Sequence, residues 1–323
     1  MSFARCLASV AFALGTLAAP ARAQTWPAST IRMVVPYPAG GATDAFARLI
    51  AGKLGDQMNV PVIIDNKAGA GGNLGTNFVA KAAPDGYTVL FNINGHAISP
   101  ALYKSLPYDA DKDFLRVTQL VATTSALVVV PTLPVKNLQE LIAYVGANPG
   151  NLNYGSTGVG NSLHLVMEML KHETGMDIQM VPFRGDGPLF AAMFGGEVQL
   201  AIVSLVTAKA HIDSGALRAI GVSTASRAAS LPDVPTIAEQ GVPGFDVPGW
   251  MGLFVPAGTP RPIIERLWKE SQKALAAPDV GPILQNLGLE PVGSSPEDFD
   301  RRYFSDRAKF QQVVKDANIP LQD

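Results

Sequence analysis

The chain has 323 residues and a mass of 34.0 kDa, enough for one large domain or two of ordinary size. Apolar residues make up 47% and charged residues only 16%, which supplies a sizeable core and excludes an intrinsically disordered protein. The formal charge of -2, with no large basic patch, argues against a nucleic-acid partner, and the single cysteine, Cys6, excludes a disulfide framework or a thiolate metal cluster.

Residues 1–23 read as a secretory signal peptide. Arg5 supplies the positive start, Leu7 to Ala19 is uncharged, mostly apolar and too short to span a bilayer, and Ala21-Arg22-Ala23 is a small-x-small cleavage site. The mature protein is expected to begin at Gln24, without cysteine, and to be soluble and exported. That fits a bacterial periplasm, where structural disulfides are optional.

From there the chain alternates strand and helix. Ile31 to Val35 is a short β-rich run, followed by a Gly/Pro loop and a helix from Asp44 with Phe46, Leu49, Ile50 and Leu54 on one face. Pro61 to Asp65 reads as a second strand, Thr76 to Ala83 as a helix and Tyr87 to Asn94 as a third strand. Ala126 to Val130 is a strand, and Leu138, Leu141, Ile142 and Val145 form the apolar stripe of a helix. Strand signals recur at Ile178–Phe183, Val198–Ser204, Leu217–Ser223 and Trp250–Val255. Long helices are expected at Pro262–Ala277 and Pro296–Ala317, with Pro262 suited to a first turn. Repeated βα units predict an α/β fold with mainly parallel sheets and helices on both faces; two such sheets fit this length better than one.

In open α/β sheets, ligands bind beyond the carboxyl ends of the strands. Three glycine-rich loops stand there. The first, Pro36 to Asp44, contains Tyr37, Ala39, Gly40, Gly41 and Thr43; its glycines let backbone approach a ligand, and Thr43 or Asp44 can cap the next helix, whose N-terminus is an anion site. The second, Gly69 to Gly75, contains Ala70, Gly71, Gly72 and Asn73. The third, Tyr154 to Asn161, carries Ser156, Thr157 and Asn161 ahead of the helix holding His164. None of the three carries a formal cation, a combination that suits a small anion held by dipoles. Asn94 and His96, at the end of the third strand, are expected to face the same cleft. So are Arg184 and Asp186, in a strand-end loop.

Other chemistries fail on spacing. The glycines do not make a dinucleotide fingerprint, no loop ends in Gly-Lys-Ser/Thr, and neither a Gly-x-Ser-x-Gly elbow nor His-Glu-x-x-His occurs. His164 and His172 lack a nearby third ligand, so no metal site and no cofactor are expected.

Seven blocks in order carry a resemblance. PYPAGGATD at 36–44, GAGGNLG at 69–75, LPYDADKDF at 106–114, NYGSTGVGNSLHL at 153–165, VPFRG at 181–185, LPDVPTIAEQG at 231–241, and Trp250 with VPAGTP at 255–260 resemble the Bug family, the extracytoplasmic solute receptors of tripartite tricarboxylate transporters. The resemblance covers residues 27–320. It implies a type II periplasmic-binding fold, two lobes closing on a ligand, with the ligand carboxylate held by main-chain N–H groups, small polar side chains and ordered water from the first two loops. The chain departs from the family pattern at Lys67-Ala68-Gly69-Ala70, where Pro-Gly or a similar pair is usual, and at Ser204, where an aspartate or asparagine often faces the cleft.

The expected organisation is a first lobe of 24–124 and 250–323 and a second lobe of 125–249. The expected function is non-enzymatic capture of a small organic acid by a monomer, for delivery to a membrane permease or a sensor. An exported hydrolase or lyase acting on a small carboxylate is the alternative, but no nucleophile–base pair supports it.

Overall fold

The computed structural model of the protein describes residues 26–323. The expected signal segment, with Cys6, lies outside the described residues. The chain opens with β1 (Ile31–Val35), α1 (Ala42–Met58), β2 (Val62–Asn66), α2 (Asn73–Ala80), β3 (Thr88–Ile93), α3 (Gly95–Leu102) and β4 (Phe114–Thr123). It continues through β5 (Ser125–Val129), α4 (Leu138–Ala147), β6 (Asn153–Ser156), α5 (Ser162–Thr174), β7 (Gln179–Pro182), α6 (Asp186–Gly195), β8 (Leu200–Ser204), α7 (Leu205–Asp213) and β9 (Arg218–Val222). It closes with β10 (Gly249–Pro256), α8 (Arg261–Leu275), α9 (Val280–Asn286), β11 (Leu289–Pro291) and α10 (Pro296–Asp316).

The local chemistry explains these elements. β1 is apolar on both faces, as a strand covered by helices must be: Met33, Val34 and Val35 are all buried. α1 buries Phe46, Ile50 and Leu54, one turn apart, and stops where Asn59 turns left-handed at φ 55°. α2 begins three residues before the expected Thr76, because the glycine loop tightens into a 3-10 turn at Ala70–Gly72 and runs straight into the helix.

Two sheets result, ordered β11-β4-β10-β3-β1-β2 and β7-β6-β8-β5-β9. In the first, β1, β2, β3 and β4 run one way and β10 and β11 the other. In the second, β6, β7, β8 and β9 run one way and β5 the other. Four strands of each sheet thus run one way, in line with the expected two-lobed α/β fold, and the sheets are mixed because the chain crosses between them. β4 leaves the first sheet at its carboxyl edge, so β5 must start at the facing carboxyl edge of the second and run against its neighbours. β10 makes the return trip and inserts antiparallel between β3 and β4.

β4 is the long strand that pattern reading passes over. Its alternation is broken by Arg116, Thr118 and Gln119, all buried. Each is satisfied by the start of α10 or the segment that leads into it: Arg116 pairs with Asp300, Thr118 Oγ1 donates to Ser294 O at 2.8 Å, and Gln119 N–H donates to Ser294 Oγ at 3.0 Å. The cores follow the sheets, except along α10. Its first half sends Phe299 and Tyr303 into an aromatic cluster under the first sheet, and its second half sends Phe310 and Val314 into the core of the second.

Candidate ligand-binding site

A cavity of about 320 Å³ opens between the two sheets, at the carboxyl ends of their strands. On one side lie Gly41, Ala42 and Thr43 at the start of α1, with Asn94 after β3. The floor is the crossover Thr123-Thr124-Ser125, beside Gly249, Trp250 and Met251 of the return strand. On the other side lie Ser162 and Leu163 of α5, Asp186 of α6, and Ser204 with Thr207 at the start of α7. A larger hollow of about 730 Å³ runs along α10 beside Pro100 and Ala101, but it is an open surface groove away from the strand ends.

Four helices thus point their N-termini at one space. In α1, α6 and α7 the N-cap residues Gly41, Gly185 and Ser204 make no side-chain cap; the first N–H of α7, Leu205, donates to Thr124 O at 3.0 Å, while the first turns of α1 and α6 keep N–H groups for another acceptor. α5 differs: Asn161 Oδ1 accepts from His164 N–H at 2.9 Å. Among the described residues, no lysine, arginine or histidine lines the cavity. Its one charged group is Asp186. Burial pushes the Asp186 carboxyl up, and the Thr207 hydroxyl on the same cavity wall pulls it partly back.

The structure brings Gly41, Thr43, Asn94, Asp186 and Ser204 together at the cavity and places the other candidates elsewhere. Ala39 and Gly40 sit exposed at the mouth of the first loop. In the second loop the glycines face two tyrosines: a Cβ on Gly71 would meet Tyr103 Oη at 2.5 Å and one on Gly72 would meet Tyr37 Oη at 3.2 Å. The Tyr37 hydroxyl itself donates to Asn92 Oδ1 at 2.9 Å. Ala70 shares the left-handed geometry of that loop, at φ 48°, and Asn73 Oδ1 accepts from Tyr108 Oη at 2.6 Å. In the third loop, Ser156 Oγ donates to Gly158 O at 3.0 Å and Asn161 Nδ2 donates to Thr157 Oγ1 at 2.8 Å, so these side chains hold the turn into α5. Arg184 is exposed.

His96 lies behind the cavity wall, and the reason is α3. The helix turns away from the strand end and carries His96 into the aromatic cluster, 4.7 Å from the Phe254 ring and 4.9 Å from that of Phe114. Its Nδ1 is 2.8 Å from Tyr303 Oη. Burial first, then the charges of Arg116 and Arg307, push its pKa down to about 3, so the ring is neutral.

Asp44 is the strut of the first loop. It is buried and accepts from Gly40 N–H at 2.9 Å, Arg48 Nε at 2.9 Å and Asn66 Nδ2 at 2.8 Å. Burial alone would raise its carboxyl; the hydrogen bonds from Arg48, Gly40 and Asn66 outweigh it and hold the pKa at about 2. A carboxyl whose pKa falls on folding adds stability above its unfolded pKa of about 4, and loses it as pH drops through the folded value. Asp44→Asn is therefore expected to melt below the wild type at neutral pH, with the gap narrowing below about pH 4. Melting curves from neutral pH into acid check this, and a gap that stays constant would mean that the charge contributes nothing.

The crossover hydroxyls Thr123, Thr124 and Ser125 were not singled out from sequence, because threonine and serine at a strand end look like ordinary strand residues. Their signal is the run of three where the chain changes sheet.

Two α/β lobes with a polar cavity at the crossover define a ligand receptor of the two-lobed periplasmic-binding type. The chain belongs to the family described as tripartite tricarboxylate transporter family receptor, which it matches over residues 46–319. It is 35% identical over 326 residues to Protein BugT of Bordetella pertussis, covering 99% of this chain and 100% of BugT. The R. palustris protein Rpa4515, solved with adipate, superposes with a TM-score of 0.82 at 35% identity, covering 92% of this chain and 100% of that one. MatC from Rhodopseudomonas palustris, solved with bound malate, does so with a TM-score of 0.77 at 34% identity, covering 90% and 100%. Among the described residues, no helix is long and apolar enough to cross a membrane.

Proposed function

We propose that the protein captures a small organic acid in the periplasm, after loss of the segment before Gln24, and delivers it by lobe closure to a membrane permease or a sensor. The observation that carries this is the convergence of uncapped helix N-termini and hydroxyl groups on one cavity without a cation. Hydrogen bonds to a charged acceptor contribute about 1.5–3 kcal/mol each, so three or four reach micromolar affinity. The adipate and malate held by the two relatives support a carboxylate as the ligand class. The protein works as a monomeric receptor, not an enzyme: His96 is tied to Tyr303, and His164 accepts from Gly160 N–H at 2.9 Å, so neither is free to serve the cavity hydroxyls as a base.

Titration calorimetry against mono-, di-, hydroxy- and amino-carboxylates tests the reading. A stoichiometric complex with the ligand recovered unchanged is expected, together with a melting temperature that rises with ligand concentration. No binding across the panel, or conversion of a ligand, would overturn it.

A further inference from the structure

The cavity is electrically two-sided. On the first-lobe side, α1 offers uncapped N–H groups from Gly41 onward, while its only acidic first-turn residue, Asp44, is turned back into the loop to bind Gly40 and Arg48. On the second-lobe side the arrangement is reversed. Asp186 stands in the first turn of α6 and lines the cavity together with Thr207 in the first turn of α7, so its carboxylate lies near the positive ends of both helices. The second lobe thus presents an anion to the cavity where the first presents donors.

Asp186 is half-buried, and no lysine, arginine or histidine among the described residues lines the cavity with it. Arg184, two residues away, is exposed. A carboxylate removed from water without a cation is costly unless a ligand supplies the counter-charge. A ligand with a carboxylate at each end would place one of them against Asp186, where like charges repel.

We propose that Asp186 is the specificity-determining residue of this cavity and that the ligand is an amino-carboxylate, its carboxylate at the N-terminus of α1 and its protonated amine on Asp186. This rests on the carboxylate-receptor reading above and narrows it.

Matched probes test it. β-Alanine, γ-aminobutyrate and δ-aminovalerate differ from succinate, glutarate and adipate only in carrying an ammonium where the diacid carries its second carboxylate. Titration of the wild type and of Asp186→Asn with each pair reads the preference directly. The wild type is expected to favour the amino acid of at least one pair by about tenfold or more, and Asp186→Asn to lose or reverse that preference through weaker amine binding and stronger diacid binding. Because the variant removes a desolvated charge, its melting temperature without ligand should match or exceed that of the wild type; if it fails to fold, Asp186→Ser takes its place. A wild type that prefers the diacids, or a preference unchanged in the variant, overturns the proposal while leaving carboxylate capture standing. Binding of neither series overturns both.

Discussion

Trp250→Ala should lower the stability of the protein by about 3–5 kcal/mol and remove ligand binding with it. The indole is 1% exposed, packs edge-on against Phe299 at 5.1 Å and beside Phe254 at 6.0 Å, and donates from Nε1 to Asp306 Oδ2 at 2.9 Å. Asp306 also accepts from Arg302 Nε at 2.8 Å, and Arg302 donates to Pro248 O at 2.9 Å, so the indole, the return crossover and α10 are joined in one network. Truncation opens a cavity among aromatic rings that cannot all move in, and it removes part of the cavity wall. Trp250→Phe keeps most of the packing but strands one bond of Asp306, and should cost about 1–3 kcal/mol. Denaturant unfolding of both variants measures this; equal losses would mean that the hydrogen bond, not the ring volume, holds the region.

Gly75→Val is expected to disturb both glycine loops of the first lobe at once. A Cβ at Gly75 would lie 2.8 Å from Lys67 O and 2.8 Å from Pro36 Cβ, and 3.1 Å from Pro36 Cα. These are backbone and ring atoms with no rotamer to move into, so the loop before α1 and the loop before α2 must part. Overpacking of this kind costs about 1–3 kcal/mol, more where backbone has to shift. Because the loop that begins at Pro36 leads to Gly41 and Thr43 at the cavity, affinity should fall by more than the stability loss alone explains. Gly40→Ala is the control: open space surrounds its Cβ, although φ is 87° there, so it should be strained but not clashing. Retention of full affinity in Gly75→Val would show that the loops reach the ligand independently.

Much of the fold was legible because the βα units announce themselves by period. The β1 run, the α1 stripe and the proline-started α8 and α10 lie within a few residues of their expected limits. What escaped reading did so for physical reasons. β4 is a buried strand with polar residues whose partners, Asp300 and Ser294, come from far along the chain. The antiparallel course of β5 and β10 follows from the crossover, which no local window contains. The glycine loops read as three equivalent ligand cradles, yet a glycine serves any close approach, and in the second loop the close neighbours are Tyr37 and Tyr103. Asp186 and Arg184 sit two apart in one loop; the helix starting at Asp186 turns the first toward the cavity and leaves the second exposed, a difference that spacing does not encode.

The position of β10 between β3 and β4 also sets an order of events during biogenesis. A chain made amino end first presents β1 to β4 early, but β3 and β4 have no bonds to one another and wait for the strand that separates them. That strand arrives only after the whole of the second sheet has been made. The first sheet therefore cannot be completed until its complement is in place, and the long sequence separation slows closure.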